Sequence, residues 1–86
     1  MSRYTDTATN HLWAALKDLR AGMCELIEER DSLGAQIEAC EMMDRHEAVD
    51  RALEDFERDL GAVEFNIGKV QAAILKVETA VGEITA

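Results

Sequence analysis

The sequence predicts an all-α fold: two long helices folded back on each other as an antiparallel coiled-coil hairpin. Three observations predict it. In the second half, Val49, Leu53, Phe56, Leu60, Val63, Ile67, Val70, Ile74, Val77, Val81 and Ile84 follow one another in ten steps that alternate four and three without a fault. A 3.5-residue repeat sustained over that length marks a coiled-coil seam, and no period-two alternation of the kind that marks a strand occurs anywhere. The first half carries the same repeat at Leu12, Leu16, Leu19, Met23, Leu26, Leu33, Ile37 and Cys40, with Arg30 occupying one seam position. Finally, the two repeats are out of phase. Extended backwards, the second reaches His46 and Met42, whereas the first ends at Cys40. That two-residue offset is about 200° around a helix, so one continuous helix would carry its stripe onto the opposite face midway.

Taken in chain order, residues 1–86 form a single hairpin domain. The first helix is expected over about 6–42, the turn at about 42–45 and the second helix over about 45–85. Pro is absent, and Ala, Glu and Leu are the commonest residues, which favours long uninterrupted helices. Asp44-Arg45-His46-Glu47 reads as a helix start, with Asp44 at the N-cap and Glu47 three residues on. Folding the chain about residue 43 pairs positions that sum to 86, and every seam pair then sets an a residue opposite a d residue. Leu33 meets Leu53, Leu26 meets Leu60, Cys40 meets His46, and Arg30 meets Phe56. Arg30 is expected to act as a register device, its stem over Phe56 and its charge paired with Glu29, Glu57 or another nearby acid.

Composition narrows the function classes. With one Trp, one Tyr and two Phe, a globular core would be thin, and helices packed side by side suit the chain better. No run of about 18 apolar residues is present, so a membrane span is not expected. Met1-Ser2-Arg3-Tyr4-Thr5-Asp6 lacks an apolar export segment, which points to a cytoplasmic location and to Cys24 and Cys40 as free thiols. A net charge of −9 opposes direct binding to nucleic acid or anionic lipid.

The apolar residues exceed what one seam uses. Trp13 and Ile27 lie beside the first stripe, and Phe65 and Leu75 off the second. Gly61, Gly68 and Gly82 recur on one helical face, where each costs about 1 kcal/mol relative to Ala, which suggests close approach by a neighbouring helix. Self-association into a homodimeric four-helix bundle through Trp13, Ile27, Phe65 and Leu75 is the resulting expectation.

Charge is as uneven as apolarity. Residues 25–64, the half nearest the turn, hold 14 acids and 4 bases, whereas the remainder holds 4 acids and 5 bases. The tip half is therefore −10 and the base half +1. Glu38, Glu41, Glu47, Asp50, Glu54, Asp55 and Glu57 flank the turn off the seam, and they are the candidate contacts for a protein partner with a basic surface.

Residues for catalysis or cofactor binding are not expected. His11 and His46 are the only histidines, neither CxxC nor HExxH occurs, and the ExxH motif of di-iron bundles is missing. Every Gly stands singly within a helical pattern, so no phosphate-cradling loop is present, and no His lies within a turn of Cys24. A non-enzymatic binding module without metal or cofactor follows.

In size, acidity and compactness the chain resembles small acidic proteins of phages and mobile elements that block host nucleases or CRISPR complexes by presenting a DNA-like charge surface. That resemblance implies an inhibitor of a nucleic-acid-handling host defence complex. The alternative expectation is a structural or assembly coiled coil, such as a scaffold, chaperone or phage component. The hairpins of secretion needles turn on prolines, small secreted hairpins carry Trp-x-Gly in their turn, and histone-like proteins are basic; this chain has none of these features.

Overall fold

The computed structural model describes residues 3–85, with side chains from Thr7 onward. The reading of the first residues as lacking an export segment therefore falls largely outside the described side chains. Two helices make up the fold, α1 (Arg3–Glu41) and α2 (Glu47–Thr85), each of 39 residues, packed along one another. At 1.5 Å per residue each is about 58 Å long, and the hairpin measures 66 × 15 × 14 Å. Its radius of gyration is 19.3 Å, against about 12 Å for a globular chain of this size. This is a rod two helices wide, as the paired heptads require.

The seam is the whole core. Among the described residues Leu16, Leu33, Leu53, Val63, Ile67 and Val81 are the buried hydrophobic ones, all at predicted seam positions, and no polar or charged side chain is buried with them. Leu33, Val63 and Ile67 form one cluster, flanked by Met23, Leu26, Ile27, Phe56 and Leu60. Ile27, expected on an oligomer surface, is partly buried and packs against this intramolecular cluster. Its position beside the stripe places it over the edge of the seam, where the second helix covers part of it.

The helices sit one heptad further along than the pairing about residue 43 predicts. Arg20 Nη2 lies 3.9 Å from Glu78 Oε2, and Leu33 shares a cluster with Ile67. Pairs summing to 86 would separate these residues by about 18 Å and 21 Å along the axis. Pairs summing to 93 bring both separations to about 10 Å or less, which side chains leaning toward their own N-termini close. Leu33 then comes level with Leu60, Leu16 with Val77, Cys40 with Leu53 and Arg30 with Val63. A slip of seven preserves every a-opposite-d relation, so the heptad pattern reads identically in both registers. The overhang it creates, α2 past α1 at the tip and the reverse at the base, accounts for a rod longer than either helix.

The turn explains the slip. Met42 N–H donates to Glu38 O (3.1 Å) and Met43 N–H to Cys40 O (3.2 Å), which ends α1. The chain then runs through Asp44, Arg45 and His46 before α2 begins at Glu47. His46, not Asp44, is the N-cap. Its carbonyl accepts the first helical bond from Asp50 N–H (2.9 Å), and its Nδ1 accepts from Ala48 N–H at 3.1 Å. The imidazole nitrogen thus does what an Asp oxygen does at this position. His46 is exposed rather than closing the seam against Cys40.

Arg30 also departs from expectation in its partner. Its guanidinium bonds Asp31 Oδ1 at 3.3 Å, the next residue on the same helix, and the side chain is 43% exposed. Neither Glu29 nor Glu57 pairs with it. An exposed pair between sequence neighbours contributes little.

Packing of this kind leaves much surface uncovered. The chain exposes 6465 Å², where a compact monomer of its mass exposes about 5,100 Å².

Arg30→Leu places an apolar side chain against Val63 and gives up only a weak pair, so the melting temperature rises by about 4–8 °C per kcal/mol gained, measured by circular dichroism. Oligomer distribution, read by sedimentation, broadens in the same variant because the charge no longer discriminates between registers. Separately, His46→Ala lowers stability by about 1 kcal/mol whereas Asp44→Ala leaves it nearly unchanged; the reverse order in thermal melts would restore Asp44 as the cap.

Candidate functional site

An apolar seam excludes the carboxylates from the interior, and the uneven sequence distribution places most of them around the tip. Residues 65–68 carry no charge, so the one-heptad shift in register leaves the tip half with the same 14 acids and 4 bases. Each of the four bases is held locally. Arg30 pairs with Asp31 (3.3 Å), Arg45 Nε with Asp50 Oδ1 (3.0 Å), Arg51 with Glu47 (3.8 Å) and Arg58 with Asp55 (2.6 Å). Arg51 and Arg58 reach back one helical turn, the spacing at which side chains on one helix meet.

Fourteen carboxylates less the four in these pairs leaves ten with no ion pair among the described residues. Glu38, Glu41, Glu54 and Glu57 are among the ten, and all four are exposed. Glu47, Asp50 and Asp55, equally expected as partner contacts, instead hold Arg51, Arg45 and Arg58. Asp50 Oδ1 is shielded from solvent without an aligned hydrogen bond, so its 3.0 Å approach to Arg45 is held by charge rather than by direction.

The tip also carries apolar residues that the heptad reading had extended into the seam or passed over. Met42 and Met43 project from the turn, 88% and 57% exposed, between Glu41 and Asp44. An adjacent pair of methionines falling between two helical repeats was the available signal. Methionine suits such a place because its flexible thioether adapts to varied partner surfaces. A shallow groove of about 410 Å³ lies between the helices in the same half of the hairpin. Gly34, Ala35 and Leu60 contribute its apolar lining, and Asp31, Glu38 and Glu64 its charge, with Arg30 alongside.

The four residues predicted to mediate oligomerisation are not brought together. Trp13, Phe65 and Leu75 are 50%, 64% and 66% exposed, whereas Ile27 is partly buried against the core cluster. Phe65 and Leu75 share the outer side of α2, whereas Trp13 flanks the seam on α1, at the same heptad position as Arg20. Lys69 Nζ lies 4.8 Å from the Phe65 ring centroid in a cation–π contact.

Among the described residues no group of three or more His, Cys, Asp or Glu side chains is arranged to hold a metal ion. Cys24 is an exposed free thiol and Cys40 a half-buried one. Among the described residues no helix is long and apolar enough to cross a membrane. No protein-family model matches the chain, and searches of curated proteins and of solved structures find no similar protein.

Because Glu54 and Glu57 hold no ion pair, Glu54→Lys with Glu57→Lys breaks none. Circular dichroism should show unchanged helicity and a melting temperature within about 4 °C of the parent, as for most exposed substitutions. Loss of helicity in this variant would assign the two glutamates a structural role.

Proposed function

We propose that the hairpin is a non-enzymatic protein-binding module whose acidic tip docks on the basic surface of a partner protein. The observation that carries this reading is the set of ten tip carboxylates without a cation, in a half whose four arginines are all engaged locally. Unpaired exposed acids create a field that accelerates encounter with a basic partner and selects against acidic ones. Met42 and Met43 add what charge alone lacks, an apolar centre that loses its hydration on contact. The partner class is a nucleic-acid-handling host defence complex, whose phosphate-binding surface a carboxylate-lined rod would occupy as an inhibitor.

The hairpin also self-associates in this reading, forming a homodimeric four-helix bundle. The supporting observation is its exposed surface, about 1,400 Å² more than a compact monomer of its mass would show. A standard interface removes about 800 Å² per partner. The competing reading, a structural or assembly coiled coil, draws on the same excess and is separated by the test.

Capture of a stoichiometric basic protein that weakens steeply with added salt supports docking through the tip. Reversing Glu38, Glu41, Glu54 and Glu57 to Lys should abolish that capture, and Asp18→Lys in the base half should spare it. Equal loss from tip and base reversals would reduce the acidic surface to a solubility device. Large, salt-insensitive particles of the chain alone would favour the assembly reading.

A further inference from the structure

The outer side of α2 carries a second ladder beside the seam. Phe65, Gly68, Ala72, Leu75, Thr79 and Gly82 are spaced alternately three and four, and all six are uncharged and exposed. Toward the tip the same side becomes charged, with Glu47, Arg51, Glu54 and Arg58. A Cβ built at Gly68 or Gly82 meets nothing within 4 Å, so the space over both is open. Resting on the self-association reading, we propose that a second copy covers this face, antiparallel, in a single register. In that register Phe65 lies over Gly82 of the other copy, Gly68 over Thr79, and Ala72 over Leu75.

The occupant follows from the pattern's complementarity to itself. Positions summing to 147 meet, and two-fold symmetry repeats the three pairs into six layers. Each layer sets a larger side chain against a smaller one, the knob-and-hole fit that helix pairs require. Antiparallel pairing one heptad away sets Phe65 against Leu75 and leaves Gly68 against Ala72, crowding one layer and hollowing the other. A parallel pair stacks Phe65 on Phe65 and Gly68 on Gly68, with the same defect.

Charge selects the same arrangement. Antiparallel overlap of the base halves, which hold 4 acids and 5 bases, keeps the two −10 tips at opposite ends of the dimer. Like charges of that size side by side would repel across less than a Debye length. Lys69, on the flank of the ladder, comes within side-chain reach of Glu83 of the other copy. The tips, with Met42, Met43 and the unpaired carboxylates, remain open for a partner.

The test uses the full chain with Cys24 and Cys40 changed to Ser, and reads self-association by sedimentation equilibrium with helicity as a control. Phe65→Gly and Gly82→Phe should each weaken the dimer by about tenfold or more. The double variant exchanges knob for hole in the two symmetry-related Phe65–Gly82 layers and should recover most of the parent affinity. Ala72→Cys should oxidise to a disulfide-linked dimer. Thr79→Cys should not, because antiparallel pairing holds its two copies about 16 Å apart along the axis. A parent chain that stays monomeric at every concentration overturns self-association itself. A dimer indifferent to both single variants, not rescued by the double, or cross-linked through Thr79→Cys overturns this face and register while leaving self-association standing.

Discussion

Everything in this structure depends on one apolar seam between two helices. No second layer backs it. Among the described residues six hydrophobic side chains are buried, all on the seam, and no polar or charged side chain is buried as a whole. The rod is 66 Å long and about 15 Å across, a single seam deep. The seam also dictates where charge goes. By reserving the a and d positions for hydrophobes, it sends each acid and nearly every base outward. Arg30 is the exception, and it escapes by turning its guanidinium to Asp31 at the rim.

With the seam in place, local sequence spacing organises the electrostatics. The tip arginines reach only acids within five residues of themselves, so each forms a short intrahelical or turn pair and none ties the two helices together. The ion pair that crosses the hairpin, Arg20 with Glu78, lies in the base half. Exposed pairs of this kind contribute at most about 1 kcal/mol. Their consequence is distribution rather than stability: the base is nearly balanced, and the tip keeps its surplus of carboxylates around Met42 and Met43. One rod therefore presents two different surfaces, an uncharged flank on α2 and an acidic end.

Most of the fold was legible in the sequence because a heptad repeat is a direct record of burial. The two helices, their antiparallel pairing and the break near residue 43 all follow from the phase of the stripes. The register did not, since moving α2 by seven residues returns every seam residue to an equivalent position. What distinguishes the registers is the turn. Asp44 looked like the cap because its side chain is the commoner acceptor, yet His46 Nδ1 fills that role two residues later and lengthens the connection. Ile27 looked like surplus because a strict two-position stripe is narrower than the contact a helix makes. The acids were readable as a surface but not individually. Which of them are neutralised by Arg45, Arg51 and Arg58 depends on side-chain reach that spacing alone leaves open.

The register fixes the overhang at the tip, the residue of α2 that lies level with Arg30, and the crossing ion pair together. Methyl–methyl nuclear Overhauser contacts in a selectively labelled sample measure it directly. The structure predicts contacts between Leu33 and Leu60 and between Leu16 and Val77. Contacts between Leu33 and Leu53 and between Leu16 and Val70 in their place would contradict it and return the hairpin to the fold about residue 43.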